Sequence, residues 1–197
     1  MAGVASWTAL EYGIHRVLGH ELRGKGLASR EHLAHHADVT YFTPSPLKAL
    51  SAAVTTAIAF PVAAATMGRR RATGFTAGLV SMYFGYEVLH RRTHTHPPRN
   101  RYGRWARRNH LLHHAGNPMR DFGVSTPVWD LVFRSHVPAP ERVRLPRRIA
   151  PDWMLDDAGA LRPEYEDDYE VVGPRAAEQA TVEADRVAAF ANRAPTF

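Results

Sequence analysis

The chain has no cysteine among its 197 residues. That excludes disulfide staples, iron–sulfur clusters and thiolate-ligated zinc, while leaving the redox compartment open. The opening Met-Ala-Gly-Val lacks the basic start of a secretory signal peptide. Charge is missing altogether from Ala49 to Met67, nineteen positions, close to the length of a membrane-spanning helix. Pro61 falls inside that run, where a kink is expected. The length points to one domain with a tail.

Histidine is abundant, at twelve residues. Ten of them fall into four clusters. His15 and His20 form H-x4-H, and His32, His35 and His36 form H-x2-H-H. His90 and His94 form H-x3-H, and His110, His113 and His114 form a second H-x2-H-H. Only His96 and His136 lie outside this pattern. Neutral imidazole is the commonest protein metal ligand. One ion takes about four to six ligands, so ten rings suit two ions. On a helix, residues three and four apart share a face, so each triple projects its rings into one arc. The five-residue step from His15 turns well away on an α-helix, which predicts that His20 stands at a helix end before Gly24 and Gly26. The clusters are separated and set in apolar sequence, which excludes a histidine tag.

Charge is unevenly spread. Residues 1–45 are neutral, residues 46–150 carry a net +13 and residues 151–197 a net −7. A basic block suits nucleic acid or an anionic membrane surface. The adjacent apolar run favours the membrane and argues against nucleic acid.

The pattern predicts a helical hairpin over 46–67 and 72–92 with a turn at Gly68–Arg71. It predicts further helices over Val4–Leu18, 28–37 and 104–115. Pro97-Pro98 and Asn117-Pro118 break the chain on either side of the last triple. A weak repeat relates Glu11–Arg16 to Tyr86–Arg91 and His32–Ala37 to His110–Ala115, suggesting two half-sites closing on one bimetallic centre. Glu11 and Glu87 precede the two pairs and read as partners for the free N–H of ligand rings. From Val137 the chain is Pro-rich, then acidic over Glu164–Glu170, then amphipathic over Ala176–Asn192. It reads as a polar, partly disordered tail, 137–197, following a functional domain over 1–136.

These four motifs, in this order around an apolar hairpin, resemble the fatty acid hydroxylase superfamily of integral-membrane non-haem di-iron oxygenases. That group includes fatty acid 2-hydroxylases, sterol desaturases and carotene hydroxylases. The resemblance is closest over Tyr83–Ser135, including the run Phe122-Gly-Val-Ser-Thr-Pro-Val-Trp-Asp130, and spans roughly 4–136. It implies an all-α fold: an integral-membrane hairpin with a cytosolic-face helical cap carrying a dimetal site. It implies that His15, His20, His32, His35, His36, His90, His94, His110, His113 and His114 are the catalytic ligands of two iron ions, which zinc can replace. It further implies O2 as co-substrate, a lipid substrate, most simply a fatty acyl chain hydroxylated at a C–H bond, and a separate electron donor (ferredoxin or cytochrome b5 with a reductase). Asp130, Trp129 and Ser125 are expected to brace the last histidine helix rather than react. Members carry a complete membrane hairpin before the first pair, whereas fourteen residues precede His15 here. The expectation is a truncated start or a minimal form. Two alternatives stand beside this reading: a carotenoid or sterol hydroxylase or desaturase of the same superfamily, and a non-catalytic membrane metal-binding protein.

Overall fold

A computed structural model describes residues 2–174. Helix α1 (Ala2–Gly13) runs directly into a π-helical stretch (Ile14–Glu21), and α2 (Leu27–Ala37) follows a turn through Gly24 and Gly26. The hairpin comprises α3 (Ser45–Met67) and α4 (Arg69–Thr95). Then come α5 (Arg101–Ala115) and the short α6 (Val128–Val132). Two strands close the described chain, β1 (Val143–Pro146) and β2 (Tyr169–Val172), paired in parallel with Val143 opposite Tyr169.

The hairpin is tighter than the sequence pattern suggested. Gly68 alone reverses the chain, at φ +80, a conformation that L side chains rarely adopt. It caps both helices, so Arg69–Arg71 form the first turn of α4 instead of a loop. Helix α3 continues through Pro61 without ending there. Among the described residues, α3 is the one helix long and apolar enough to cross a membrane. Its Val54, Ile58 and Val62 recur every four residues on one face and are 48%, 63% and 62% exposed, so that face is largely uncovered among the described residues. Helix α1 lies on α4 through small residues. A Cβ on Gly3 would fall 2.0 Å from the Phe75 carbonyl oxygen, so the two backbones touch there. Trp7 then packs on Tyr83 and Tyr86, with ring centroids 5.2 and 5.8 Å away.

The expectation of a solvated tail fails for 143–172. Val143, Leu145, Ile149, Met154 and Tyr169 are buried against Leu111 of α5 and Val39. The two inward residues of β1 alternate with outward ones, the period of a strand. Acidic composition disguised this unit, because Asp168 is buried and ion-paired to Arg104 and Arg108. Burial raises the Asp168 pKa, and the two guanidiniums outweigh it to hold the carboxyl below its usual range. Arg107 is buried as well, donating to the Arg92 and His96 carbonyls at the end of α4. That end is also fixed by Trp153, whose Nε1 donates to the Thr93 carbonyl. The amphipathic stretch over 176–192 lies outside the described residues.

Candidate metal centre

The first pair meets by a route the α-helical spacing did not reveal. The helix ends at Glu21, one residue past His20, as expected, but it first widens into a π-helix, in which residue i bonds to residue i+5. The Leu22 amide reaches the Val17 carbonyl, five residues back, at 3.1 Å. His15 and His20, also five apart, therefore share a face. His90 and His94, four apart, share a face on regular α4. The extra residue of the first half is absorbed by the wider turn. Gly19 lies against the result, since a Cβ there would sit 2.9 Å from His32 Cδ2.

The triples divide in the same way. With about 3.6 residues per turn, positions i and i+4 stand some 40° apart while i+3 lies about 100° from i+4. His32 and His36 join His15 and His20 in one group, and His110 and His114 join His90 and His94 in another. The middle histidine of each triple crosses over. His113 of α5 completes the first group and His35 of α2 completes the second. Each group has five donor atoms within 4.8 Å of one another. The groups adjoin where the His36 and His114 rings stack, with centroids 4.0 Å apart. The structure thus brings all ten predicted histidines together. His96 is exposed, next to Thr95, and belongs to neither group; His136 instead pairs with Asp121.

Proton positions show that the donor set fits metal ions. A neutral imidazole has one N–H and one lone pair, and a carbonyl only accepts. His113 Nδ1 donates to the Arg120 carbonyl at 2.6 Å, His15 Nδ1 to that of Phe122 at 2.5 Å and His35 Nδ1 to that of Tyr41 at 2.8 Å. Their Nε2 atoms are therefore bare acceptors. His113 Nε2 faces His20 Nε2 at 3.1 Å and His36 Nε2 at 3.2 Å, and one in-plane lone pair cannot accept from both. His15 Nε2 is buried with no partner among the described residues. In the second group, His94 Nε2 lies 3.2 Å from His35 Nε2 and 3.0 Å from His110 Nε2. Nitrogens bound to one ion at ~2.0–2.1 Å lie roughly 2.9–3.4 Å from each other. The observed separations match that spacing.

Burial keeps these rings neutral, as ligands must be. Desolvation, then the neighbouring His20, lowers the His15 pKa to about 3. Desolvation lowers His20 to about 4 and, aided by His20, lowers His36 to about 2. The sign for stability follows. In the metal-free protein the unfolded chain takes up protons first, below about pH 6.5, while the folded rings stay neutral until pH 4 to 2. Stability is therefore full above pH 6.5 and falls as pH drops through that window, by up to ~1.4 kcal/mol per pH unit for each such ring. Urea midpoints of the metal-free protein across pH 7.5 to 5 are expected to decline steeply; a flat profile would show that the rings are solvated.

A strap after α5 fixes two of these histidines. Its carbonyls hold His113 and His15, as above, and that of Gly123 accepts from Asn109 Nδ2. Its amides point the other way. Asp130 accepts from the Phe122 and Gly123 N–H at 2.9 and 2.7 Å, and from Ser135 Oγ at 2.7 Å. Glu11 accepts from the Val124 and Ser125 N–H at 2.7 and 2.8 Å and from the Ser125 hydroxyl. Burial pushes the Glu11 pKa up to about 7, against the opposing hydrogen bonds from Ser125 and Val124. Glu11 and Glu87 thus do not receive ring N–H groups as expected. Glu11 braces the strap, and Glu87 pairs with Lys48. The sequence reading missed the backbone carbonyls of Tyr41, Arg120 and Phe122 that do the job, because no side-chain pattern encodes them. A Cβ on Gly123 would lie 2.0 Å from the Thr126 carbonyl oxygen, so Gly123→Ala must open the strap. We expect it to lower stability by about 2–4 kcal/mol, read as a melting shift, with metal content reduced as well.

A cavity of about 440 Å³ reaches the centre from the side of α1 and α3. Trp7, Ile14, Leu18, Leu50 and Val54 give it apolar walls, and its inner end is formed by His15, His32, His35 and His90. It touches both histidine groups and is of ordinary ligand-pocket size.

The chain is similar to known proteins. The family model described as fatty acid hydroxylase matches residues 1–135. A dihydroceramide fatty acyl 2-hydroxylase of Arabidopsis thaliana is 28% identical over 136 residues, 66% of this chain and 57% of the relative. The solved structure of full-length scs7p, in which only the hydroxylase domain is visible, superposes with a TM-score of 0.57 at 27% identity. That match covers 68% of this chain and 53% of the other. The chain therefore spans little more than half the length of these relatives. Both matches leave part of this chain outside them, and the β1–β2 unit lies beyond the family-matched residues.

Proposed function

The chain belongs to the fatty acid hydroxylase family, and from that premise we propose that it is a membrane-bound di-iron oxygenase that hydroxylates a lipid C–H bond, on a fatty acyl chain. The observation that carries the reading is the pair of adjoining five-histidine groups at the inner end of an apolar cavity. His15, His20, His32, His36 and His113 would hold one iron ion, and His35, His90, His94, His110 and His114 the other. Iron held by these histidines would supply the capacity to activate O2, given electrons from a separate protein, a ferredoxin or cytochrome b5.

The chain's own residues bind, orient and exclude. The apolar cavity walls take up an extended acyl chain and run it past His15 and His32 of one group and His35 and His90 of the other. Closing that space to water limits side reactions. The carbonyls of Tyr41, Arg120 and Phe122 keep each proton on Nδ1, so that Nε2 points inward. Cells making the protein under 18O2 are expected to accumulate a lipid heavier by one labelled oxygen; an iron-loaded protein that labels no acyl lipid would refute the substrate assignment. The acyl assignment over a carotenoid or sterol rests on the similarity to the Arabidopsis hydroxylase.

We further propose that α3 and the first part of α4 cross the membrane and that the histidine end faces the cytoplasm. Arginines 91, 92, 99, 101, 104 and 108 flank that end, against 69–71 at the other. The chain lacks cysteine, so Pro97→Cys introduces a single thiol. It should react with impermeant maleimide only after lysis of cells; labelling of intact cells would reverse the orientation.

A further inference from the structure

We propose that the face of α5 turned away from the histidines is a docking site for an acidic one-electron carrier protein. This rests on the oxygenase reading, whose turnover takes two electrons from a separate protein. Two carriers are each oxidised once. With two protons, one oxygen atom of O2 enters the C–H bond and the other leaves as water.

The position on α5 is the first argument. Arg101, Arg104, Trp105 and Arg108 follow an i, i+3, i+4, i+7 pattern and line one wall of a surface groove of about 570 Å³. His110, His113 and His114 occupy the opposite face of the same helix. One helix thickness, ~10 Å, therefore separates groove from ligands. The groove also connects to the ligands through the strap. His136, on its other wall, pairs with Asp121 at 2.8 Å. Asp121 stands between Arg120 and Phe122, the residues whose carbonyls hold His113 and His15.

Charge and surface chemistry select the partner. Asp168 in the groove pairs with Arg104 and Arg108, and its single negative charge leaves the three groove arginines a net +2. Arg99 and Arg101 are exposed and make no ion pair among the described residues. Tyr102, 49% exposed, stands beside Trp105 with ring centroids 5.8 Å apart. An aromatic centre with an arginine rim is the composition of a protein-binding surface. A lipid surface fits less well. The groove and the apolar cavity share no lining residue: the cavity draws on nothing after His90 and the groove on nothing before Arg101. Lipid then enters on the α1–α3 side and electrons on the α5 side.

The test uses the full iron-loaded chain in detergent, with reduced plant-type ferredoxin and the reduced soluble haem domain of cytochrome b5 as probes. The double variant Arg99→Glu, Arg101→Glu should slow oxidation of the accepted donor at least ~10-fold at low ionic strength, and the difference should shrink in high salt. Reduction by dithionite should be unchanged, and Arg70→Glu at the far end of the hairpin should have no effect. Equal donor rates for the double variant and the wild type, for both probes, would overturn the proposal. So would unchanged donor rates with loss of binding to phosphatidylserine vesicles, which would make the face a lipid contact. If dithionite-reduced wild type consumes no oxygen, the oxygenase reading fails, and the docking proposal falls with it.

Discussion

Alanine at His113 or at His35 is expected to abolish turnover and to cut iron affinity by more than the ~10–100-fold that changes to supporting groups cost. These are the two histidines that cross between the groups. His113 arises on α5, beside His110 and His114, yet donates to the group built by His15, His20, His32 and His36. His35 mirrors it from α2. Each substitution removes one donor of five and releases the link between the two halves of the centre. It also leaves a carbonyl, of Arg120 or Tyr41, without its imidazole N–H. Iron analysis should show the loss while circular dichroism stays helical, because α1, α3 and α4 pack without these rings. His96→Ala serves as the control. It lies outside both groups and should keep full metal content; a loss there equal to that at His113 would mean the groups are drawn wrongly.

The second large effect is expected at Asp130. Its carboxylate is fully buried and satisfies the Phe122 and Gly123 amides and the Ser135 hydroxyl. Asp130→Ala leaves the buried Phe122 and Gly123 amides unpaired, each costing ~1–3 kcal/mol, and leaves the Ser135 hydroxyl with Tyr12 Oη as its partner. We expect destabilisation of about 3–5 kcal/mol, near the upper end for single substitutions. The strap would also let go of the carbonyls behind His113 and His15, so iron affinity should fall in the wild-type fold that remains. Denaturant midpoints and iron titration read the two effects separately. A variant as stable as wild type would mean that the strap is held by Glu11 and packing alone.

The histidine clustering was legible in the sequence because imidazoles at three- and four-residue spacing have one helical meaning, and the structure gathers all ten into two groups. The resemblance over Tyr83–Ser135 pointed to the same family as the match over residues 1–135. The hairpin was legible because charge is absent across Ala49–Met67 and Gly68 can turn the chain. Three things were not. The π-helical stretch at Ile14–Glu21 has no compositional mark, and only the five-residue gap between His15 and His20 hinted at it. The crossing of His35 and His113 depends on how α2 and α5 face each other, which no local spacing specifies. The β1–β2 unit was hidden because four-residue strands with two inward side chains each carry too little periodicity, and because the charge of Asp168 suggested solvent while Arg104 and Arg108 bury it.

Iron content per chain, measured after anaerobic loading at neutral pH and removal of free metal, tests the central claim most directly. Two adjoining five-histidine sites predict two iron ions per chain, with X-ray absorption dominated by imidazole nitrogen at both. One ion per chain, or a first shell rich in carboxylate oxygen, would contradict it.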